Sequence, residues 1–392
     1  MSKVGILTFH NNENRGAILQ AYSLRETINE IFSVEVEIVD YRARSKEQSR
    51  RNGLFISRRP QKIFRRIKDR RLIESSLSSP QIPTSSKSIV TDDQNEAVNW
   101  INDQDYDLLI TGSDEVWKIS SGDRGRLFSS LLPNRPFPNL YFLDPRISAM
   151  KTAYAASANS VDLNILKEHQ RETLERYLSD YDYISVRDNH TEDLLNNLGI
   201  GSVHRVPDPT LLVDLPMGDA VPILKNNGID LDKPILGFHG PRNPVFKKIC
   251  EKYRERGYQI VTSTNSPYAD VELEGKVDPF EYYAVYDHYD MVVTSSLHST
   301  IFSLKNGTPF VTIDVDDAYA TLESKTHSLL QDFSLLNRHI DAVDGDATEF
   351  HDRIDELEQP LDEDHVQKRI SKLRETGLEY LEMVKQDYEE NN

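Results

Sequence analysis

Residues 287–314 read DHYDMVVTSSLHSTIFSLKNGTPFVTID, and this stretch decides the fold. Its apolar run Met291-Val292-Val293 is too short for a helix and lies between Asp290 and a cluster of hydroxyl residues, which predicts a buried parallel strand. From His298 onward Ile301, Phe302 and Leu304 recur at helical spacing, Asn306-Gly307 supplies a stop, and residues 309–313 predict another strand. The unit is therefore strand, helix, strand. In an open parallel sheet, ligands collect outside the carboxyl ends of strands, beside helix N-termini whose free N–H groups favour anions. Ser295, Ser296 and His298 fall at that place. Histidine in a first helical turn is also explained as a plain hydrogen-bonded residue. Its hydroxyl neighbours are what point to phosphate or carboxylate, and the imidazole adds a group that titrates near neutral pH.

The same rhythm runs outward in both directions. Residues 4–9 predict a strand, 10–16 a polar loop, and Ala17, Ile18, Leu19, Ala21, Tyr22, Leu24 and Ile28 a helix; residues 34–41 predict the second parallel strand. Gly16 alone is a weak nucleotide signature, because the three-glycine dinucleotide fingerprint is absent. Residues 79–88, rich in Ser and Pro, read as a surface connection, and a helix is expected near 94–101. The strand at 106–111 runs into Gly112-Ser113-Asp114-Glu115-Val116-Trp117, where glycine allows close backbone approach and Ser113 or Asp114 is expected to cap a following helix. Residues 151–157 and 183–188 predict further strands, ending in Ser157 and in Arg187-Asp188.

Residues 216–233 read as a linker, after which strands at 234–240 and 258–262 alternate with helices at 245–256 and 278–286. The chain closes on a helix at 364–389 with Val366, Ile370, Leu373, Leu378, Leu381 and Val384 on one face. The expected domains are 1–215, 216–345 and a helical segment 346–392.

Composition sets the outer bounds. A chain of 392 residues with 38% hydrophobic content accommodates two globular domains. One cysteine, Cys250, excludes an internal disulfide framework, and no signal peptide or 18-residue apolar span is evident, so a cytoplasmic location is expected. The net charge, 46 − 64 = −18, argues against nucleic acid as a partner. The charge is uneven: residues 42–71 carry thirteen Lys or Arg against Glu47 and Asp69. The plainer account is a solvated helical insertion; the sharper one is docking onto an anionic membrane surface or polyanionic glycan.

Taken together the motifs resemble the polysaccharide pyruvyl transferase family. They are Asn14-Arg15-Gly16-Ala17-Ile18-Leu19-Gln20-Ala21-Tyr22, Gly112-Ser113-Asp114-Glu115-Val116-Trp117, Tyr154-Ala155-Ala156-Ser157, Ser185-Val186-Arg187-Asp188, Asp208-Pro209-Thr210-Leu211-Leu212, and Ser296-Leu297-His298-Ser299 with Thr308-Pro309-Phe310. They occur in family order between about residues 3 and 340.

The resemblance implies two Rossmann-like halves facing across a cleft, as in GT-B glycosyltransferases, with the C-terminal helix crossing back to the first domain. It implies transfer of the pyruvyl group of phosphoenolpyruvate onto two hydroxyls of one sugar in a glycan or lipid-linked saccharide, with release of phosphate and no metal or organic cofactor. Arg187, His298 and Lys325 are the donor-site candidates, Lys325 on the weaker match. Asp114 is the carboxylate that could steer or deprotonate an acceptor hydroxyl. Asn14, Gly16, Ser113, Ser157, Ser295 and Ser296 complete the expected substrate-binding set. Two departures stand out: Ser299 occupies a position that is often glycine, and Arg15 one that is commonly aromatic.

The chemistry matches these residue types. A donor with a carboxylate and a phosphate needs fixed cations, which Arg187 would offer as a planar fork and Lys325 as a point charge. Ketal formation needs a proton delivered to the methylene carbon and bases for two hydroxyls. His298 fits either as that acid or as a phosphate anchor. A nucleotide-sugar glycosyltransferase shares the fold, since fold does not fix reaction, and a silent glycan-binding protein is the non-enzyme alternative.

Overall fold

The computed structural model describes residues 3–11, 13–55, 60–77, 82, 84–119, 135–316, 319 and 322–391. The chain divides into two compact units, one of residues 1–67, 74–213 and 373–392, the other of 68–73 and 214–372.

The first unit is wound around a parallel sheet. Its elements are β1 (Lys3–Leu7), α1 (Arg15–Phe32), β2 (Glu35–Arg42), α2 (Arg44–Phe55), α3 (Pro60–Leu77), β3 (Thr84–Val90), α4 (Gln94–Asn102), β4 (Leu108–Asp114), β5 (Met150–Ala156), α5 (Glu168–Leu178), β6 (Tyr183–Val186), α6 (Asn189–Asn197) and β7 (Val203–Arg205). The strand order is β3-β2-β1-β4-β5-β6-β7, a Rossmann winding that reverses direction between β1 and β4. Central strands are buried on both faces, which is why β4 reads as a continuous buried run rather than an alternating one. One face packs on Leu109, Val116, Trp117 and Phe142, the other on Ile6, Leu24, Ile110 and Tyr154.

The second unit repeats the plan. It contains α7 (Val221–Asn226), β8 (Ile235–His239), α8 (Pro244–Glu255), β9 (Gln259–Thr262), β10 (Val271–Glu272), α9 (Pro279–Ala284), β11 (Met291–Thr294), α10 (Leu297–Lys305), β12 (Phe310–Asp314), α11 (Lys325–Phe333), β13 (His339–Asp341) and α12 (Thr348–Leu357). Its order β10-β9-β8-β11-β12-β13 places the reversal between β8 and β11. The last helix, α13 (Glu363–Asn391), begins in the second unit and from Leu373 belongs to the first. There the Tyr380 hydroxyl donates 2.8 Å to the Ala153 carbonyl of β5, and Leu381 and Val384 join the core beside Tyr154.

Two expectations are corrected. Part of the stretch 79–88, read as a surface connection, forms the edge strand β3, paired in parallel with β2; Asp40 N donates to Ser85 Oγ at 2.9 Å. An edge strand with mostly exposed or half-buried side chains carries no apolar alternation to betray it. No helix follows Asp114 through Ile119: Val116 N closes a tight turn on the Asp114 carbonyl at 2.8 Å, and residues 120–134 lie outside the described set. The basic insertion is helical in α2 and α3, where Asp69 is buried and accepts from Gly275 N at 2.7 Å; Arg58 and Arg59 lie outside the described residues. No described helix is long and apolar enough to cross a membrane.

Candidate functional site

In the first unit the carboxyl ends of β4, β5 and β6 meet at a buried ion pair. Arg187 follows β6 and donates from Nη1 to Asp208 Oδ2 at 2.7 Å and Ser113 Oγ at 3.3 Å, and from Nη2 to Asp114 Oδ1 at 3.0 Å. The side chains of Arg187, Asp114 and Asp208 are 2%, 9% and 2% exposed. Burial alone would lower the guanidinium pKa, but Asp114 and Asp208 outweigh it and raise it. Each motif residue has a local reason to be there. Asp208 Oδ1 accepts from Thr210 N and Oγ1 and so turns the chain after β7, leaving Oδ2 for the arginine. Ser185 Oγ accepts from Ala155 N and donates to the Ala153 carbonyl, satisfying β5 where its register shifts.

The end of β4 is held in unusual backbone geometry. Gly112 has φ +112°, and a Cβ there would stand 2.2 Å from the Tyr154 carbonyl oxygen, so only glycine fits. Asp114 has φ +78°, a region costly for a side-chain-bearing residue. It is fixed there because its carbonyl accepts from Val116 N and Ser157 N while its carboxylate holds Arg187. Ser157 is fully buried and its Oγ accepts from Asn159 N, a loop-shaping role. Asn14 is the N-cap of α1, accepting from Gly16 N at 3.1 Å and Ala17 N at 3.3 Å.

In the second unit β11 ends at Thr294, whose register partner is His239 of β8. Thr294 Oγ1 and Ser295 N both donate to the His239 carbonyl at 3.0 Å, and Ser296 N donates to Thr294 Oγ1 at 2.9 Å. This turns the chain so that Ser296 becomes the N-cap residue of α10 without using its hydroxyl as the cap. His298 is the second residue of that helix and 5% exposed, its ring 6.2 Å from that of Phe302. Ser299 is fully buried and its Oγ accepts from the Tyr286 hydroxyl at 2.8 Å, which is itself 2.9 Å from the Tyr282 hydroxyl. The departure from glycine is thus a hydrogen-bonded helical serine, and no backbone freedom is required at that position. Lys325 opens α11 behind its N-cap Ser324, and α11 packs against α10.

The structure therefore brings together Ser113, Asp114 and Arg187 in one unit, with Ser157 adjoining through the Asp114 carbonyl, and Ser295, Ser296 and His298 in the other. Asn14 and Gly16 stand apart, at the start of α1. Residues not assigned to the site from sequence share these edges. Asp208 completes the Arg187 pair, and His239 marks the end of β8 beside Thr294. After β1, His10 Nε2 lies 3.0 Å from Asp40 Oδ1, which is also held by the Arg42 fork at 2.7 and 2.6 Å. A histidine following a strand was the one available signal for His10 and His239. Among the described residues no group of His, Cys, Asp and Glu is placed to hold a metal ion.

Two doubly wound parallel domains of this kind define a GT-B-like α/β protein. Known structures agree. A UDP-GlcNAc 2-epimerase from Methanocaldococcus jannaschii superposes with TM-score 0.51 at 10% identity, covering 87% of this chain and 88% of that one. A further UDP-N-acetylglucosamine 2-epimerase gives TM-score 0.51 at 9% identity over 95% and 90%. At such identity the likeness speaks for the fold alone. No curated protein sequence matches the chain. Sequence decides the family: the model for polysaccharide pyruvyl transferase matches residues 14–317, and the chain belongs to that family.

Proposed function

We propose that this protein transfers the pyruvyl group of phosphoenolpyruvate to two hydroxyls of one sugar of a polysaccharide or lipid-linked saccharide. Two C–O bonds form at the donor's C2 and the bond from C2 to the phosphate oxygen breaks. One hydroxyl proton is matched by the proton gained at C3, which becomes a methyl group, and the other leaves with phosphate. The observation that carries this reading is family membership across residues 14–317, which spans both described edges. The N-terminus of α10 supports it, because the positive end of a helix dipole and the adjacent hydroxyls suit a donor that is anionic at both ends.

In this proposal His298 is either the acid that protonates C3 or the anchor of the phosphate, and Lys325 adds positive charge at the start of α11. Asp114 steers or deprotonates an acceptor hydroxyl. Arg187, a donor-site group by resemblance, has both terminal nitrogens engaged, and so is proposed to act by holding Asp114 in place. No metal or organic cofactor enters the scheme, and the cytoplasm is the proposed compartment. Phe64 on α3, 73% exposed and followed by Arg65 and Arg66, supports peripheral contact with an anionic membrane, which sedimentation with anionic vesicles at low salt tests.

The deciding experiment measures phosphate released from phosphoenolpyruvate with a panel of glycosides and lipid-linked sugars. Acceptor-dependent phosphate and a product heavier by one pyruvyl ketal are expected. Release of nucleotide from a nucleotide sugar, with no turnover of phosphoenolpyruvate, would overturn the reading in favour of a glycosyltransferase.

A further inference from the structure

Gln20 lies in the first of the family motifs, and the mechanism above gives it nothing to do. It is fully buried in α1, where an amide is a costly filling: its Nε2 donates to Thr8 Oγ1 at 2.6 Å, while its Oε1 is buried without a hydrogen bond. A methionine would fill comparable space without leaving a carbonyl unpaired. The half-satisfied amide therefore points to what Thr8 does.

Thr8 directly follows β1 and is also fully buried. Its hydroxyl oxygen receives the Gln20 amide, and its single hydrogen goes to the Ser113 carbonyl of β4, 3.2 Å away. The Thr8 carbonyl lies 3.2 Å from His10 Nδ1, whose Nε2 is on Asp40, so the backbone that carries the hydroxyl is held as well. The chain from Gln20 through Thr8 to Ser113 thus runs from α1 past the end of β1 to β4, where the strand order of the sheet reverses.

What it grips is the peptide that leads into Asp114. The Ser113 carbonyl shares a peptide plane with the Asp114 nitrogen, so its orientation sets the φ of Asp114, +78°, a value costly for a residue with a side chain. On the other side the Asp114 carbonyl accepts from Val116 N and Ser157 N. Both peptide planes flanking Asp114 are thereby fixed, and its carboxylate meets Arg187 Nη2 at 3.0 Å.

We propose that Thr8 and Gln20 are positioning residues for Asp114. They hold its peptide in the left-handed conformation that presents the carboxylate to Arg187 and, in the transferase reading on which this role rests, to the acceptor hydroxyl.

The test uses the full chain with Thr8→Val, which keeps the shape and removes the hydroxyl, Thr8→Ser, which keeps the hydroxyl, and Gln20→Met. In the phosphate-release assay Thr8→Val should lower kcat about tenfold to a hundredfold, the penalty of a misplaced catalytic group, while the KM for phosphoenolpyruvate stays within about twofold. Gln20→Met should act in the same direction by less, and Thr8→Ser should recover most of the rate. A normal kcat in Thr8→Val, or an equal loss in Thr8→Ser, overturns the proposal. A second measurement needs no turnover: the urea midpoint read by tryptophan fluorescence, both tryptophans lying in the first unit. The fall caused by Thr8→Val should shrink by at least half in an Asp114→Asn background, where the hold no longer serves a carboxylate. Equal falls in the two backgrounds show that Thr8 acts on packing alone and overturn the proposal. Should Thr8→Val not fold, Gln20→Met takes its place in both measurements. Failure of the transferase reading shows separately, as coupling between Thr8 and Asp114 without phosphate release from phosphoenolpyruvate by the unaltered protein.

Discussion

The two units share one winding and differ in how their strand ends are finished. In the first, polar groups at the ends of β4 and β6 are turned on one another: Arg187 bonds Asp114, Asp208 and Ser113 through its two terminal nitrogens in a buried set. In the second, β11 ends in half-buried Ser295 and Ser296 at the open end of a helix, with His298 in its first turn. The first arrangement is rigid by construction, since removing one member strands a buried charge. The second presents half-buried hydroxyls at the positive end of a helix dipole, a setting that suits an anion. The same topology thus supplies a fixed carboxylate in one unit and an anion-favouring helix end in the other.

That contrast breaks most visibly at His298. If it is the acid, His298→Gln should lower turnover by about a hundredfold to ten-thousandfold with little change in phosphoenolpyruvate affinity. If it anchors phosphate, affinity should instead fall about tenfold to 150-fold, the loss of one charged hydrogen bond of roughly 1.5–3 kcal/mol. In either case folding should be untouched. Both tryptophans, Trp100 and Trp117, lie in the first unit, so their fluorescence in urea reports that unit and should not change in His298→Gln. Near-normal turnover and affinity would remove the second unit's edge from the active site.

Arg187→Ala should do the opposite. It leaves Asp114 and Asp208 buried without their partner, a loss expected to cost about 3–5 kcal/mol, and the tryptophan-reported urea midpoint should fall accordingly. An unshifted midpoint with lost phosphoenolpyruvate protection would mean that the arginine meets the donor directly and that the pair seen here gives way to ligand.

How legible this was follows from the range of each contact. The β11–α10–β12 unit is written locally: a three-residue apolar run, hydroxyls, helical spacing and Asn306-Gly307, all within 28 residues. Arg187 and Asp114 were both visible as motif residues, yet their pairing spans 73 positions and depends on β4 and β6 flanking β5 in the sheet. Asp114 looked like a helix cap because a carboxylate after a small-residue strand end reads the same way in either setting; its φ of +78° is a tertiary fact. The edge strand β3 was hidden for want of apolar alternation.

The smallest effect sharpens the comparison from the side of acid. Burial would raise the Asp40 pKa, but hydrogen bonds from His10 and Arg42 outweigh it and hold it down to about 2, against an ordinary 3.8. A carboxylate depressed on folding stabilises the native state above its unfolded pKa, and that contribution drains away as pH falls through the folded value. The window is therefore pH 4 to 2. A shift of just under two units corresponds to about 2 kcal/mol. The difference in urea stability between the unaltered protein and Asp40→Asn, followed by tryptophan fluorescence, should be near that size at pH 6 and shrink steadily below pH 4. The pair joins the ends of β1 and β2, so its loss should loosen the first unit ahead of the second. A difference that stays constant from pH 6 to pH 2.5 would show that the His10–Asp40–Arg42 contacts contribute shape and not charge, and would weaken the case that the first unit's edge is held by ion pairs at all.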